Sequence, residues 1–215
     1  HTTIGYKICM NDLKLRPYAA GPLYHHEALN GTGYPQGLTK KDIPYEGQII
    51  RVADEYDAIV SKRQYKSHIG ITDTIKILID NTKPFSNVDS SVAVKYLSEN
   101  AKLGKDNPII VKALISVVIE DINYEISCSL DYLSNLESTI KRLKIAKDYN
   151  DKMLKASNDK KRQYYFEGVK SYLAPEETPE NFENVLSEYV IAYDNKKAHI
   201  AHLQDEIKKI KKLRV

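Results

Sequence analysis

Leu186, Tyr189, Tyr193, Lys196, Ile200, Leu203, Ile207 and Ile210 follow one another at alternating steps of three and four residues. That rhythm puts them on one stripe of a helix, because a strand would repeat every two residues. Upstream, Leu133, Leu136, Ile140 and Leu143 keep the same 3-4-3 spacing before the chain turns lysine-rich and polar. Between the two runs, "APEETPEN" (Ala174 to Asn181) carries two prolines, which a helix interior does not accommodate. Two amphipathic helices joined by a proline turn predict an antiparallel helical hairpin. Such a hairpin is either a packing arm or a coiled coil that binds a second copy or a protein partner. The basic end "KKIKKLRV" reads as a solvated lysine face.

The preceding sequence is also helical in character. "TDTIKILID" (Thr72 to Asp80) opens on a capping threonine and places Ile75, Leu78 and Ile79 on one side. In "NPIIVKALISVVIEDI", Asn107 is a natural N-cap and Pro108 suits the first helical position. Strict apolar alternation is missing, so the expected fold class is all-α: a helical bundle over residues 1–128, then a hairpin extension over 129–215. A net charge of +3 gives no strong attraction to a nucleic-acid polymer. No apolar run approaches the roughly eighteen residues of a membrane span. Cys9 and Cys128 form no CxxC pair, which fits a reducing, cytoplasmic setting. The chain begins at His1 rather than at a methionine, so a preceding segment, with any targeting or sensory domain, is expected upstream.

The chemistry-bearing residues cluster early. "HHEALNGTGYPQGL" sets His25, His26 and Glu27 ahead of a loop punctuated by Gly31, Gly33, Pro35 and Gly37. "GPLYHHEAL" reads as a short helix, on which neighbouring residues point about 100° apart. His25 and His26 then do not share one core face and are either a surface pair or metal ligands. The glycine loop fails the dinucleotide fingerprint in spacing and lacks a preceding strand; it is a rigid turn or a ligand-bordering loop. In "IPYEGQIIRVADEYDAIVSKRQYK", Pro44 starts a helix with Ile49, Val52, Ala53, Tyr56, Ile59 and Val60 as its apolar stripe. Asp54 and Asp57 lie beside that stripe, where a carboxylate is costly unless paired or metal-bound. Arg63 and Lys66 follow. Imidazoles, carboxylate and cations together point to metal-assisted attack on a phosphate ester.

"HTTIG", "HHEALNGTGYPQGL", "IP", "RVADEYDAI" and "RQYK", in this order and spacing, resemble the HD-GYP domain, the cyclic di-GMP phosphodiesterase branch of the HD hydrolase superfamily. The likeness is strong from His1 to about Lys66. It is weaker to about Asn123, where "NPIIVKAL" is similar to the family's Asp-Pro-x-x-Val segment. It implies an all-helical fold holding two or three divalent metal ions, iron or manganese. By motif position, His1, His25, His26 and Asp54 would be metal ligands, with His25, His26 and Asp54 central to catalysis. Glu27 would orient an imidazole from behind, and Asp57 would likewise support the ligands. Tyr34 would approach the nucleotide, and Arg63 and Lys66 would grip its phosphates. The implied reaction is hydrolysis of cyclic di-GMP to linear pGpG or GMP in bacterial second-messenger signalling.

The sequence departs from that pattern in places. The His-Asp pair that names the superfamily, and the lysine after it, belong upstream of "HTTIG". This chain alone is therefore expected to be an incomplete and inactive centre. Asn30, Gln48 and Gln64 replace the usual Asp, Arg and Pro, and Gln48 removes a possible buried ion pair. The alternatives are a non-catalytic cyclic dinucleotide sensor acting through its hairpin, or an HD-superfamily hydrolase for another nucleotide.

Overall fold

The 3-4 rhythm is realised as helix throughout. The computed structural model describes residues 1–61, 69–84 and 103–215. Within them the helices are α1 (Thr2–Asn11), α2 (Ala20–Tyr24), α3 (Tyr45–Val60), α4 (Ile71–Asn81), α5 (Pro108–Leu154), α6 (Asp159–Ser171) and α7 (Phe182–Lys211), with a 3-10 turn at Arg16–Tyr18. Among the described residues, strand-like pairing is limited to an isolated bridge between Asn30 and Thr39. The all-α expectation holds. None of the described helices is long and apolar enough to cross a membrane.

The chain divides into two compact units, His1–Asp121 with Glu206–Val215, and Ile122–Asp205. In the first, α4 turns Ile75, Leu78 and Ile79 inward to meet Val52, Ile110 and Val111, with Leu213 packed alongside. Pro44 caps α3 as its sequence predicts. The apolar stripe read for α3 is only partly the buried one. Val52 is buried and Tyr56 half-buried, whereas Ile49 and Ala53 are exposed and Gln48 lies inside. Gln48 tolerates burial because both ends of its amide are used: Nε2 donates to the Ile43 carbonyl at 3.0 Å, and Oε1 accepts from Asn107 at 2.9 Å. Asn107 meanwhile caps α5, its Oδ1 accepting from the Ile109 N–H. Thr72 does not cap α4, which begins one residue earlier; its hydroxyl donates to Glu206 at 2.7 Å instead.

In the second unit α5 and α7 run antiparallel. Moving down α5, Glu125, Tyr132 and Lys147 meet, in turn, His199, Lys196 and Glu183, so one number climbs as the other falls. Ile140, Leu143 and Ala146 of α5 pack with Phe182 and Leu186 of α7. Val169 joins them from α6, a helix that the polar lysine-rich stretch had concealed. Its signal was Asn158, whose side chain accepts the Lys161 N–H at 2.9 Å and caps it. The proline turn is fixed by Arg142, which forks onto Glu177 at 2.5 and 2.7 Å. That guanidinium holds the Glu177 carboxyl below the usual carboxylate range.

Candidate metal centre

α2 stops at Tyr24, one residue short of the histidine pair. His25 is its C-cap and His26 lies on the following turn. The helical fan expected for the two rings therefore does not apply, and their centroids sit 4.1 Å apart. Both face His1, which caps the start of α1. That convergence depends on α1 lying tightly on α2, where a Cβ on Gly5 would come within 2.8 Å of Pro22.

The reactive atoms are the Nε2 nitrogens. His1 Nε2 lies 3.1 Å from that of His25 and 3.0 Å from that of His26, and one ring nitrogen from each of the three lies within 4.8 Å of the others. His25 Nδ1 is 3.1 Å from the Gly21 carbonyl. Donating its proton there leaves the Nε2 lone pair aimed at the cluster, the tautomer a metal ligand needs. Burial, and then the neighbouring His25, push His26 below the ordinary imidazole value, which favours its neutral form.

The glycine loop folds back onto this turn. The Tyr34 N–H donates to the His26 carbonyl at 3.1 Å, and its ring stacks on the His26 ring with centroids 4.7 Å apart. Gly33 makes this possible, since a Cβ there would fall within 2.5 Å of the His26 carbonyl oxygen and the Glu27 Cα. Tyr34 remains 52% exposed, leaving much of its surface open. Asn30, where the resembled pattern has Asp, braces the loop locally, its Oδ1 accepting the Thr32 hydroxyl at 2.7 Å.

Other sequence candidates are placed differently. Glu27 is buried and accepts the N–H groups of Gln36 and Leu38 at 2.7 and 2.8 Å, so the bonds it makes hold the loop rather than an imidazole. Asp54 is exposed on α3 and outside the three-histidine group, although its charge still acts on His26. Asp57 is exposed and accepts the Ser61 hydroxyl at 3.0 Å. Arg63 and Lys66 lie outside the described residues.

A network beneath Asp54 was not foreseen from sequence. Arg51 donates to the fully buried Asp106 at 2.6 Å and lies 3.5 Å from Glu55, which accepts from Asn81 at 2.6 Å. Glu55 Oε2 and Asp106 Oδ2 otherwise lack a donor. Burial, followed by the Asp106 carboxylate, raises Glu55 to about 7, and the proton it retains supplies a donor between them. The signal available was Arg51 and Glu55 at i and i+4 on the helix that carries Asp54.

Residues 1–92 match the HD domain family. The chain is 48% identical over 69 residues to the cyclic di-GMP phosphodiesterase of Thermotoga maritima, covering 31% of this chain and 19% of that protein. It is 41% identical over 68 residues to the cyclic di-GMP phosphodiesterase response regulator RpfG of Xanthomonas campestris, covering 31% and 18%. A 3'3'-cGAMP-specific phosphodiesterase of Vibrio cholerae is 50% identical over 42 residues, covering 20% and 8%. The chain thus spans about a fifth or less of the length of these curated relatives. Over this stretch, with its helical fold and histidine cluster, the chain is similar to HD domains and to these cyclic dinucleotide phosphodiesterases.

Proposed function

We propose that the protein bearing this chain is a divalent-metal-dependent phosphodiesterase that hydrolyses cyclic di-GMP to linear pGpG or GMP, with iron or manganese as its ions. The observation that carries this reading is the convergence of three imidazoles, one ring nitrogen of each lying within 4.8 Å of the others. Their fit to an ion follows from elementary geometry. Nitrogens about 2.1 Å from one ion and at right angles lie about 3.0 Å apart, and the two contacts to His1 are 3.0 and 3.1 Å. A single proton on His1 Nε2 serves at most one of these contacts well, whereas a cation accepts all three lone pairs.

His1, His25 and His26 would hold the ion, and Asp54 would supply an oxygen ligand. When bound, the ion supplies a water nucleophilic at neutral pH and charge stabilisation at phosphorus. The chain's own groups do the rest. Gly21 fixes the His25 tautomer through its carbonyl. The open face of Tyr34 would receive a nucleobase beside His26, where aromatic surface binds a flat ring well. Arg63 and Lys66 would neutralise the phosphates.

The test is hydrolysis of cyclic di-GMP with added manganese, run beside 3'3'-cGAMP. Cyclic di-GMP should be opened faster, and His26→Ala should cost at least about hundredfold in rate with helicity retained. Unchanged hydrolysis in His26→Ala would refute the ligand assignment. Tight binding without hydrolysis by the wild-type protein would favour a cyclic dinucleotide sensor instead.

A further inference from the structure

Glu27 directly follows His26 of the histidine cluster, yet its carboxylate bonds elsewhere. It is 1% exposed, and its two oxygens accept separate backbone N–H groups, Gln36 to Oε1 at 2.7 Å and Leu38 to Oε2 at 2.8 Å. Those donors lie nine and eleven residues downstream, on the far limb of the loop that carries Tyr34. The near limb is held by the Tyr34 N–H on the His26 carbonyl and by the packing of Gly33. Tyr34 therefore sits between two anchorages, one on His26 and one on Glu27. An ionised carboxylate is the side chain best suited to the second, because both its oxygens accept and charge-assisted bonds are short and strong. An amide in its place would turn an NH2 group toward one of the two donors and lose that bond.

We infer that Glu27 is a positioning residue for Tyr34: it fixes the nucleotide-bordering loop over the His26 ring and sets affinity for the cyclic dinucleotide, without contributing to the grip on the metal. This rests on the phosphodiesterase reading above, and it gives Glu27 a different task from the imidazole-orienting one implied by motif position. Metal affinity and nucleotide affinity are then separable at adjacent residues, His26 governing the first and Glu27 the second.

The experiment compares the wild-type protein with Glu27→Gln, Glu27→Asp, Tyr34→Ala and the Glu27→Gln/Tyr34→Ala double variant. Manganese affinity, KM and kcat for cyclic di-GMP, and amide exchange at Gln36 and Leu38 are measured. Glu27→Gln should bind manganese within about twofold of wild type, raise KM about tenfold, and speed exchange at one or both amides. Glu27→Asp keeps the charge on a shorter stem; it gives the same comparison in milder form and covers the case in which Glu27→Gln fails to fold. The double variant should be no worse than Tyr34→Ala, because both changes remove one function. A tenfold or larger loss of manganese affinity in either Glu27 variant would overturn the inference, as would independent, multiplying effects on KM. If the wild-type protein binds manganese but neither binds nor cleaves cyclic di-GMP, the functional reading falls. Glu27 is then judged on metal affinity and the two exchange rates alone.

Discussion

The two units bury different things. Glu27, Asn30, Gln48, Thr72, Thr74, Asp106 and Asn107 are all buried in the first, while Ser129 is the buried polar residue among the described part of the second. The hairpin unit is specified mainly by apolar area: Leu143, Val169 and Phe182 are fully enclosed, the Lys147–Glu183 ion pair and the Glu125–His199 contact lie at the surface, and Arg142–Glu177 at the proline turn is its part-buried ion pair. The unit with the histidine cluster is specified by directional bonds, Glu27 to the loop, Gln48 to Asn107, Arg51 to Asp106. Apolar stripes tolerate sliding and substitution, whereas a buried carboxylate is stable only when its donors are in place. A metal centre needs that second kind of order, since its ligands must be held within a fraction of an ångström.

The largest effect that probes this contrast is cavity formation in the hairpin unit. Phe182→Ala should cost about 3–5 kcal/mol in urea unfolding, while the protein that remains folded binds manganese as tightly as wild type. A loss of metal affinity in folded Phe182→Ala would show that the two kinds of order are not separable. A smaller, pH-dependent effect belongs to the polar unit. Glu55 is raised from 4.5 to about 7 in the fold, so the folded state holds a proton that the unfolded chain releases. Its contribution is fully present below pH 4.5 and is lost as pH rises through about 7. In metal-free buffer the urea midpoint of the wild-type protein should therefore fall, relative to Glu55→Gln, between pH 5 and 8. Parallel pH profiles for the two proteins would contradict the shared proton between Glu55 and Asp106.

What the sequence made legible follows the same division. The stripe through Leu186, Ile200 and Leu203 identified the hairpin because apolar burial is periodic and periodicity survives in one dimension. α6 escaped because its inward contribution is little more than Val169, too sparse for a period. In the first unit, motif order named His1, His25 and His26 as partners, and the structure brings their rings together. It did so for an incomplete reason, since the helix ends at Tyr24 and the turn after it, rather than a helical face, aims the two rings. The donors to Glu27, Gln36 and Leu38, escaped because they depend on how a loop folds back, which spacing does not encode. Thr72 was misread likewise: its partner, Glu206, lies at the other end of the chain.

The central claim is that His1, His25 and His26 act as one ligand set. Its most direct test is a zinc titration of the metal-free protein, followed by the imidazole nitrogen shifts of its histidines. One equivalent should move the signals of His1, His25 and His26 together, with Nε2 taking the metal shift, while His199 and His202 stay unchanged. Three independent titrations, or a shift of His199 or His202 at the same zinc concentration, would contradict a shared centre.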